Sequence, residues 1–238
     1  MYLHNTMEHI SNQYVEFFRT KYNPSKIPIH SNYAAVVVEP RILSYLEFVI
    51  KNITYFLPNW SLYIFHSDMN EEFVKSITNN SPNIHYINFT PANITIKQYN
   101  KLLLSLAFWQ IISAETILIF QSDSFIRRHG IEDYLQYDYI GAPWDNCKAE
   151  YQSGNGGFSI RKKSMMIKIL QQNLTTNIKD NEDIFYGKEL IKIGAFLPHI
   201  NDSMKFSVES VYYDNPVAVH KCWHYLDDAD ALLKITLS

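Results

Sequence analysis

The chain has 238 residues, 47% hydrophobic and 19% charged, a globular composition that suits one large domain. A formal net charge of −3 excludes a general basic field for gripping nucleic acid. No apolar run approaches the roughly 18–20 residues that span a bilayer. The segment Met1–Ile10 has neither the basic start nor the apolar core of a signal peptide, so a soluble, cytoplasmic protein is expected.

Along the chain, Leu3, Met7, Ile10, Tyr14 and Phe17 recur at steps of four and three, which predicts an amphipathic helix over 2–20. Pro24 and Pro28 break it. Ala34–Val38 reads as a parallel strand buried on both faces. Helical spacing follows from Leu43 to Leu57, then a strand over 61–65, a short helix over 71–77 and a strand over 84–89. A helix is predicted over 97–113 and a strand over 116–120. Four strand–helix units of this kind predict a doubly wound, mainly parallel sheet, whose ligand sits beyond the carboxyl ends of its strands.

The second half is mixed. Short strands are expected over 137–140, 157–160 and 208–213, with helices over 164–172 and 182–193. Cys147 and Cys222 lie in no metal-ligand spacing and read as two reduced thiols. Five glycosylation sequons, at Asn52, Asn88, Asn93, Asn173 and Asn201, are the chance matches expected of an Asn-rich chain.

Four segments carry chemistry. Asp123, in Gln121-Ser122-Asp123 after the fourth strand, either caps a turn or holds Mg²⁺ or Mn²⁺, which hard carboxylates suit. Gly154-Asn155-Gly156-Gly157 is a hairpin turn or a close approach of backbone to ligand; its spacing fits neither a dinucleotide fingerprint nor a P-loop. Glu182-Asp183 opens a helix, where one acid serves the dipole and the other can act as general base. His220 ends the apolar run Pro216–Val219 and is either a core histidine or a cleft group that meets metal or phosphate. A zinc pair with His224 lacks a third ligand.

Taken in order, Glu39-Pro40-Arg41, Ile119–Ser124, Tyr137–Trp144, Gly154–Arg161, Asn181–Phe185, Phe206–Ser210 and His220–Leu226 resemble one glycosyltransferase-like family. That family was first catalogued as a domain of unknown function and carries the GT-A nucleotide-diphospho-sugar transferase fold. The resemblance spans about residues 33–226. It implies the GT-A-like (Rossmann-like) fold for an α/β domain over 29–238; the amphipathic helix within residues 1–28 is expected, from its apolar stripe, to pack on that domain. Residues 33–150 would form the nucleotide-binding half and 151–238 the acceptor and catalytic half.

It further implies a glycosyltransferase that moves a sugar from a nucleoside-diphosphate-sugar donor to the hydroxyl of a glycan or other acceptor, with inversion and with Mn²⁺ or Mg²⁺. Asp123 matches the metal-holding position of the family's Asp-x-Asp motif, while Gln121 replaces its first acid. His220 matches a late metal contact. Asp183, with Glu182 second, matches the catalytic base. Glu39, Arg41, Gln121, Ser122, Asp123 and Lys221 are expected to contact the nucleotide and its phosphates. Trp144, Asn155, Gly156 and Gly157 are expected at the sugar or acceptor, although Trp144 also reads as a core tryptophan. Two other readings stand beside this one. A nucleotidyltransferase that makes a sugar nucleotide would carry a Gly-rich, basic loop after the first strand, where this chain has Val38-Glu39-Pro40-Arg41. A non-catalytic carbohydrate-binding protein would have kept the fold alone.

Overall fold

The computed structural model describes residues 6–145, 153–174 and 178–226. A six-stranded sheet runs β3-β2-β1-β4-β7-β6. Its strands are β1 (Tyr33–Val38), β2 (Ser61–Ser67), β3 (Ile84–Thr90), β4 (Thr116–Phe120), β6 (Tyr139–Gly141) and β7 (Phe158–Lys162). Strands β1 to β4 are parallel, and β7 and β6 join antiparallel. All residues of β2 and β4 are buried, as expected of central strands covered on both faces. The architecture is therefore the α/β, mainly parallel, single-domain fold expected from the sequence.

One face of the sheet is covered by α2 (Leu46–Phe56) and, outside it, α1 (Thr6–Lys21). Phe18 of α1 meets Phe48 and Tyr55 of α2 edge to face. At the rim Arg19 and Lys51 both donate to Glu47. The other face is covered by α4 (Ile96–Leu103), α5 (Leu106–Ile111), α6 (Lys163–Gln172) and α7 (Glu182–Lys192). The short α3 (Glu71–Ile77) follows β2.

The structure corrects several boundaries. The helix expected over 97–113 is two helices, because Ser105 accepts from the N–H of Phe108 and starts a new one. The break turns Phe108 and Trp109 into the core and leaves the Leu103 carbonyl to accept from Trp109 Nε1 and Tyr186 Oη. The strand expected over 208–213 is only β8 (Ser207–Val208), since its partner β9 (Ala218–His220) pairs with those two residues alone. Two elements had no clear sequence signal, β5 (Ser124–Ile126) and α8 (Ile200–Phe206). Strands β5, β9 and β8 form a second, three-stranded sheet in that order. The sequon at Asn52 is part of the core: its side chain exchanges two hydrogen bonds with the Ile126 backbone at 2.8 Å. Cys222 is a buried free thiol, pushed up to about 12 by burial, while Cys147 lies outside the described residues. No helix among the described residues is long and apolar enough to cross a membrane.

Candidate functional site

Strands β1 and β4 are neighbours, and the chain leaves them in opposite directions across the sheet. The carboxyl ends of such a pair splay apart and leave a crevice. A cleft of about 410 Å³ lies there. Its walls come from the segments after β1 and β4, the start of α4 with the loop before it, the glycine turn, the start of α7, and the end of β9. Both halves of the sequence thus build one site.

The turn after β4 is tight. Ser124 N–H and its hydroxyl both donate to the Gln121 carbonyl, which swings the chain from the large sheet into the small one. Ser124 then pairs with His220 across β5 and β9. Lys221 N–H donates to the Asp123 carbonyl at 2.9 Å, fixing the two segments side by side. Asp123 Oδ1 lies 3.3 Å from His220 Nε2, with the histidine side chain 1% and the aspartate 31% exposed. His220 Nε2 is also 3.1 Å from Gln121 Oε1. On its other edge, His220 Nδ1 lies 3.3 Å from Glu209 Oε1, and Lys221 Nζ lies 3.4 Å from the same oxygen.

These charges shift one another. Burial pulls the His220 pKa down, but Asp123 and Glu209 outweigh it and the value is raised. Burial would lift Asp123, yet His220 and Lys221 hold it below the ordinary carboxylate range. Lys221 is likewise raised, its burial outweighed chiefly by Glu209. Arg41 also feels the Asp123 charge, so cations gather around this acid.

Glu39 is spent within the protein. Its carboxylate accepts from Arg41 Nε and Nη2 at 2.7 and 2.8 Å, from the Arg41 N–H at 3.0 Å and from Ser122 Oγ at 2.7 Å. It is 2% exposed, whereas the Arg41 side chain is half exposed. The pair therefore presents a guanidinium to the cleft on a fixed carboxylate.

Opposite, Arg161 of β7 is fully buried and grips Glu182 with both terminal nitrogens. It also donates to Ser159 Oγ and the Gly156 carbonyl, and lies over the Tyr139 ring at 4.6 Å. Burial pulls the guanidinium pKa down, but Glu182 prevails and the group stays charged. Asp183, the next residue, also lines the cleft, and no cation among the described residues takes up its carboxylate. Its oxygens accept from Gly156 N–H at 3.1 Å and Ile184 N–H at 2.9 Å, which leaves each oxygen a further lone pair.

A family model described as a protein of unknown function, DUF5672, matches residues 83–220, more than half of the chain. This chain belongs to the DUF5672 family. The match takes in Asp123, the glycine turn, Arg161, Glu182, Asp183, Glu209 and His220, and leaves out β1 with Glu39 and Arg41. Among solved structures, the chain is similar to the apo-form glycosyltransferase GlyE of Streptococcus pneumoniae TIGR4, at 10% identity and a TM-score of 0.50. That alignment covers 80% of this chain and 54% of the other, so this DUF5672 member spans about half the length of the pneumococcal protein. A 4-diphosphocytidyl-2C-methyl-D-erythritol synthase of Anaerococcus prevotii DSM 20548 aligns at 10% identity and a TM-score of 0.43, covering 74% and 88% of the two chains. No curated protein matches the sequence. At such identities the likeness is one of fold.

Of the residues singled out in the sequence, Glu39, Arg41, Gln121, Ser122, Asp123, Asn155, Gly156, Gly157, Glu182, Asp183, His220 and Lys221 all line this cleft. Trp144 does not. The glycines serve packing: a Cβ on Gly157 would sit 2.1 Å from His220 Cε1, and one on Gly156 would sit 2.4 Å from Glu182 Oε1. Both contacts are with buried protein groups. With both Glu182 oxygens held by Arg161, Asp183 is the acid of that pair free to meet a ligand. Sequence reasoning gave no role to Arg161, Glu209, Tyr99 or Asn100. For Arg161 no local signal existed: it opens the basic run Arg161-Lys162-Lys163, and nothing in that run marks it as the one that is fully buried. Asn100 holds the start of α7 through its side-chain oxygen, 2.8 Å from the Glu182 N–H.

The cation expected at Asp123 and His220 passes a chemical test. Asp123 Oδ1 is buried and has no hydrogen-bond partner, and it faces an imidazole nitrogen at 3.3 Å. The carboxylate suits Mn²⁺ or Mg²⁺, and the imidazole adds a nitrogen of the kind that first-row transition ions take. Among the described residues no group of three or more His, Cys, Asp or Glu is placed to hold a metal, so a ligand's oxygens and water would complete the shell.

Proposed function

We propose that this protein is a glycosyltransferase that moves a sugar from a nucleoside-diphosphate-sugar donor onto an acceptor hydroxyl, with inversion at the anomeric carbon. One observation carries the reading. A single cleft at the carboxyl ends of β1 and β4 joins an Asp–His pair ringed by cations to a separate ligand-facing carboxylate, Asp183. Arg41 and Lys221 offset the charge of the donor's diphosphate. Asp123 and His220 would hold a divalent cation, which supplies further charge neutralisation to the leaving diphosphate. Asp183 accepts the acceptor hydroxyl's proton as that oxygen bonds to the anomeric carbon. The carbon–oxygen bond to the diphosphate breaks with its electron pair, and nucleoside diphosphate leaves. Glu182 and Arg161 keep Asp183 in place without touching substrate.

The test incubates the purified protein with a panel of nucleoside-diphosphate sugars and hydroxyl acceptors, in Mn²⁺ or in EDTA, and measures nucleoside diphosphate release. Acceptor-dependent release in Mn²⁺ is expected. Pyrophosphate release from a nucleoside triphosphate and a sugar phosphate, with no transfer from any sugar nucleotide, would replace this reading with nucleotidyl transfer. Binding of sugar nucleotides without turnover would leave a binding protein.

A further inference from the structure

Glu209 follows β8 and has no part in the reaction as drawn, yet it is 1% exposed and carries a formal charge. A carboxylate is taken out of water at a cost of several kcal/mol unless cations or donors meet it. What meets Glu209 is set by strand register. Strands β8 and β9 run parallel with Val208 beside Val219, so the next residues, Glu209 and His220, are neighbours. Glu209 Oε1 then lies 3.3 Å from His220 Nδ1 and 3.4 Å from Lys221 Nζ. Neither Glu209 Oε1 nor His220 Nδ1 has a hydrogen-bond partner by strict geometry. Each is the nearest polar answer to the other.

We propose that Glu209 is a positioning residue: it takes the Nδ1 proton of His220 as a hydrogen bond and so presents the Nε2 lone pair to a divalent cation shared with Asp123. A neutral imidazole carries one proton, and the partner of one nitrogen decides which nitrogen is left to bind metal. On the Nε2 side the ring meets Asp123 Oδ1 at 3.3 Å and the Gln121 side-chain amide at 3.1 Å; that amide accepts from an Nε2 proton in one orientation and, turned over, donates to an Nε2 lone pair, while a proton there would oppose any cation at Asp123. A buried carboxylate at Nδ1 tips the choice the other way. Gly157 lies so close that a Cβ there would fall 2.1–2.8 Å from the ring atoms, which leaves the imidazole little room to move. Lys221, drawn to the same oxygen, is steadied at the cleft wall where a phosphate would lie. The assignment rests on the cation reading of the site.

Two measurements test it. The first needs no metal: ¹⁵N-edited NMR of the His220 ring, with pH raised until the ring signals are those of a neutral imidazole. The wild-type protein is expected to hold its proton on Nδ1, and Glu209→Leu to shift the population toward Nε2–H. The second is calorimetric titration with Mn²⁺ alone and with Mn²⁺ plus inorganic pyrophosphate. Glu209→Leu is expected to weaken Mn²⁺ about 10–100-fold, the usual cost of losing such a partner. Glu209→Gln, which keeps an acceptor oxygen, should lose less and serves should Glu209→Leu fail to fold. A wild-type ring protonated on Nε2 overturns the proposal, as does a folded Glu209 variant with unchanged tautomer and unchanged Mn²⁺ affinity. Should wild-type protein bind no Mn²⁺ while its ring is protonated on Nδ1 through Glu209, the cation reading fails and the positioning of the ring by Glu209 stands.

Discussion

Glu182 and Asp183 are adjacent carboxylates at one helix start, and the structure gives them opposite expected phenotypes. Replacing Glu182 by Gln keeps the shape but removes the charge that meets Arg161, which is fully buried. Leaving one partner of a buried pair uncompensated costs about 3–5 kcal/mol. The Tyr139 ring, Ser159 hydroxyl and Gly156 carbonyl still contact the guanidinium, so the low end, about 3 kcal/mol, is expected. For a chain of this size that lowers Tm by about 6–12 °C. Asp183→Asn is milder for folding. Its amide can satisfy one of the two N–H donors now shared by the carboxylate and must turn its NH₂ on the other, a loss of about 1 kcal/mol. Turnover should move the other way: Asp183→Asn falls about 10²–10⁴-fold while donor binding is kept, and Glu182→Gln, assayed well below its Tm, stays within about tenfold of wild type. Thermal unfolding, calorimetric binding of nucleoside diphosphate and initial rates on both variants are the assay. A Glu182→Gln protein as stable as wild type would refute the buried-pair argument. An inactive Glu182→Gln beside an active Asp183→Asn would reverse the two roles.

Other expectations follow from the same geometry. Asp123→Ala, or EDTA, should abolish the Mn²⁺-dependent part of nucleoside diphosphate binding in calorimetry; equal affinity in EDTA would remove Asp123 from any metal role. Gly157→Ala puts a methyl group 2.1–2.2 Å from the His220 ring, against an ordinary contact of at least 3.5 Å. Overpacking of this sort costs about 1–3 kcal/mol, and the displaced ring should lose Mn²⁺ binding together with Tm; an Ala variant with wild-type Mn²⁺ affinity would show that the ring can move without consequence. Arg19, by hydrogen bonding, and then Lys51 hold the Glu47 carboxyl down at about 2, against a burial that would raise it. The unfolded chain therefore binds more protons, and the stability this group gives is lost as pH falls from about 4.5 toward 2. Because Arg19 is largely solvated, about 1 kcal/mol is expected. Urea midpoints of wild type and Glu47→Gln should differ near neutral pH and draw together as pH falls from about 4.5 to 2; a gap that ignores pH would count against this ion pair.

How much of this was legible beforehand varied with the kind of interaction. The edge strand β3 is only half-buried and shows in its aromatic and β-branched residues, while β1, β2 and β4 announced themselves because central parallel strands carry long apolar runs, as Val36-Val37-Val38 and Ile117-Leu118-Ile119-Phe120 do. The split at Ser105 did not, since the apolar spacing of Leu102, Leu103, Leu106 and Trp109 continues through it and only the Ser105 cap breaks the helix. Strand β5 has three residues, too few for any periodicity. In the site, Asp123, Asp183 and His220 could be picked out by position at element ends. That Glu182, and not Asp183, would turn inward depended on Arg161, which is 21 residues away on β7. The glycines were recognised as points of close approach, but what approaches is the His220 ring and the Arg161–Glu182 pair, which no local pattern encodes.

The small sheet explains why the site needs so little sequence to specify it. Strands β5, β9 and β8 hold only eight residues between them, yet their ladders place three groups of the cleft, Asp123, His220 and Lys221, and Glu209 behind them. The β5–β9 register sets Asp123 against Lys221, and the β8–β9 register sets Glu209 against His220. A slip of one residue in either ladder would send the affected side chain to the opposite face of the sheet. His220 would then leave Asp123, and Glu209 would be buried without a cation. Register and electrostatics therefore support each other: the apolar side chains of Phe125, Val208 and Val219, all buried, fix the pairing, and the correct pairing is the one in which every buried charge at the strand ends has a counter-charge within about 3.5 Å. A site assembled by backbone ladders keeps its shape while α4 and the loop before it, with Ile96 77% exposed, are free to differ. Variation in that wall would change which ligand is accepted and leave the Asp123–His220–Glu209 row intact.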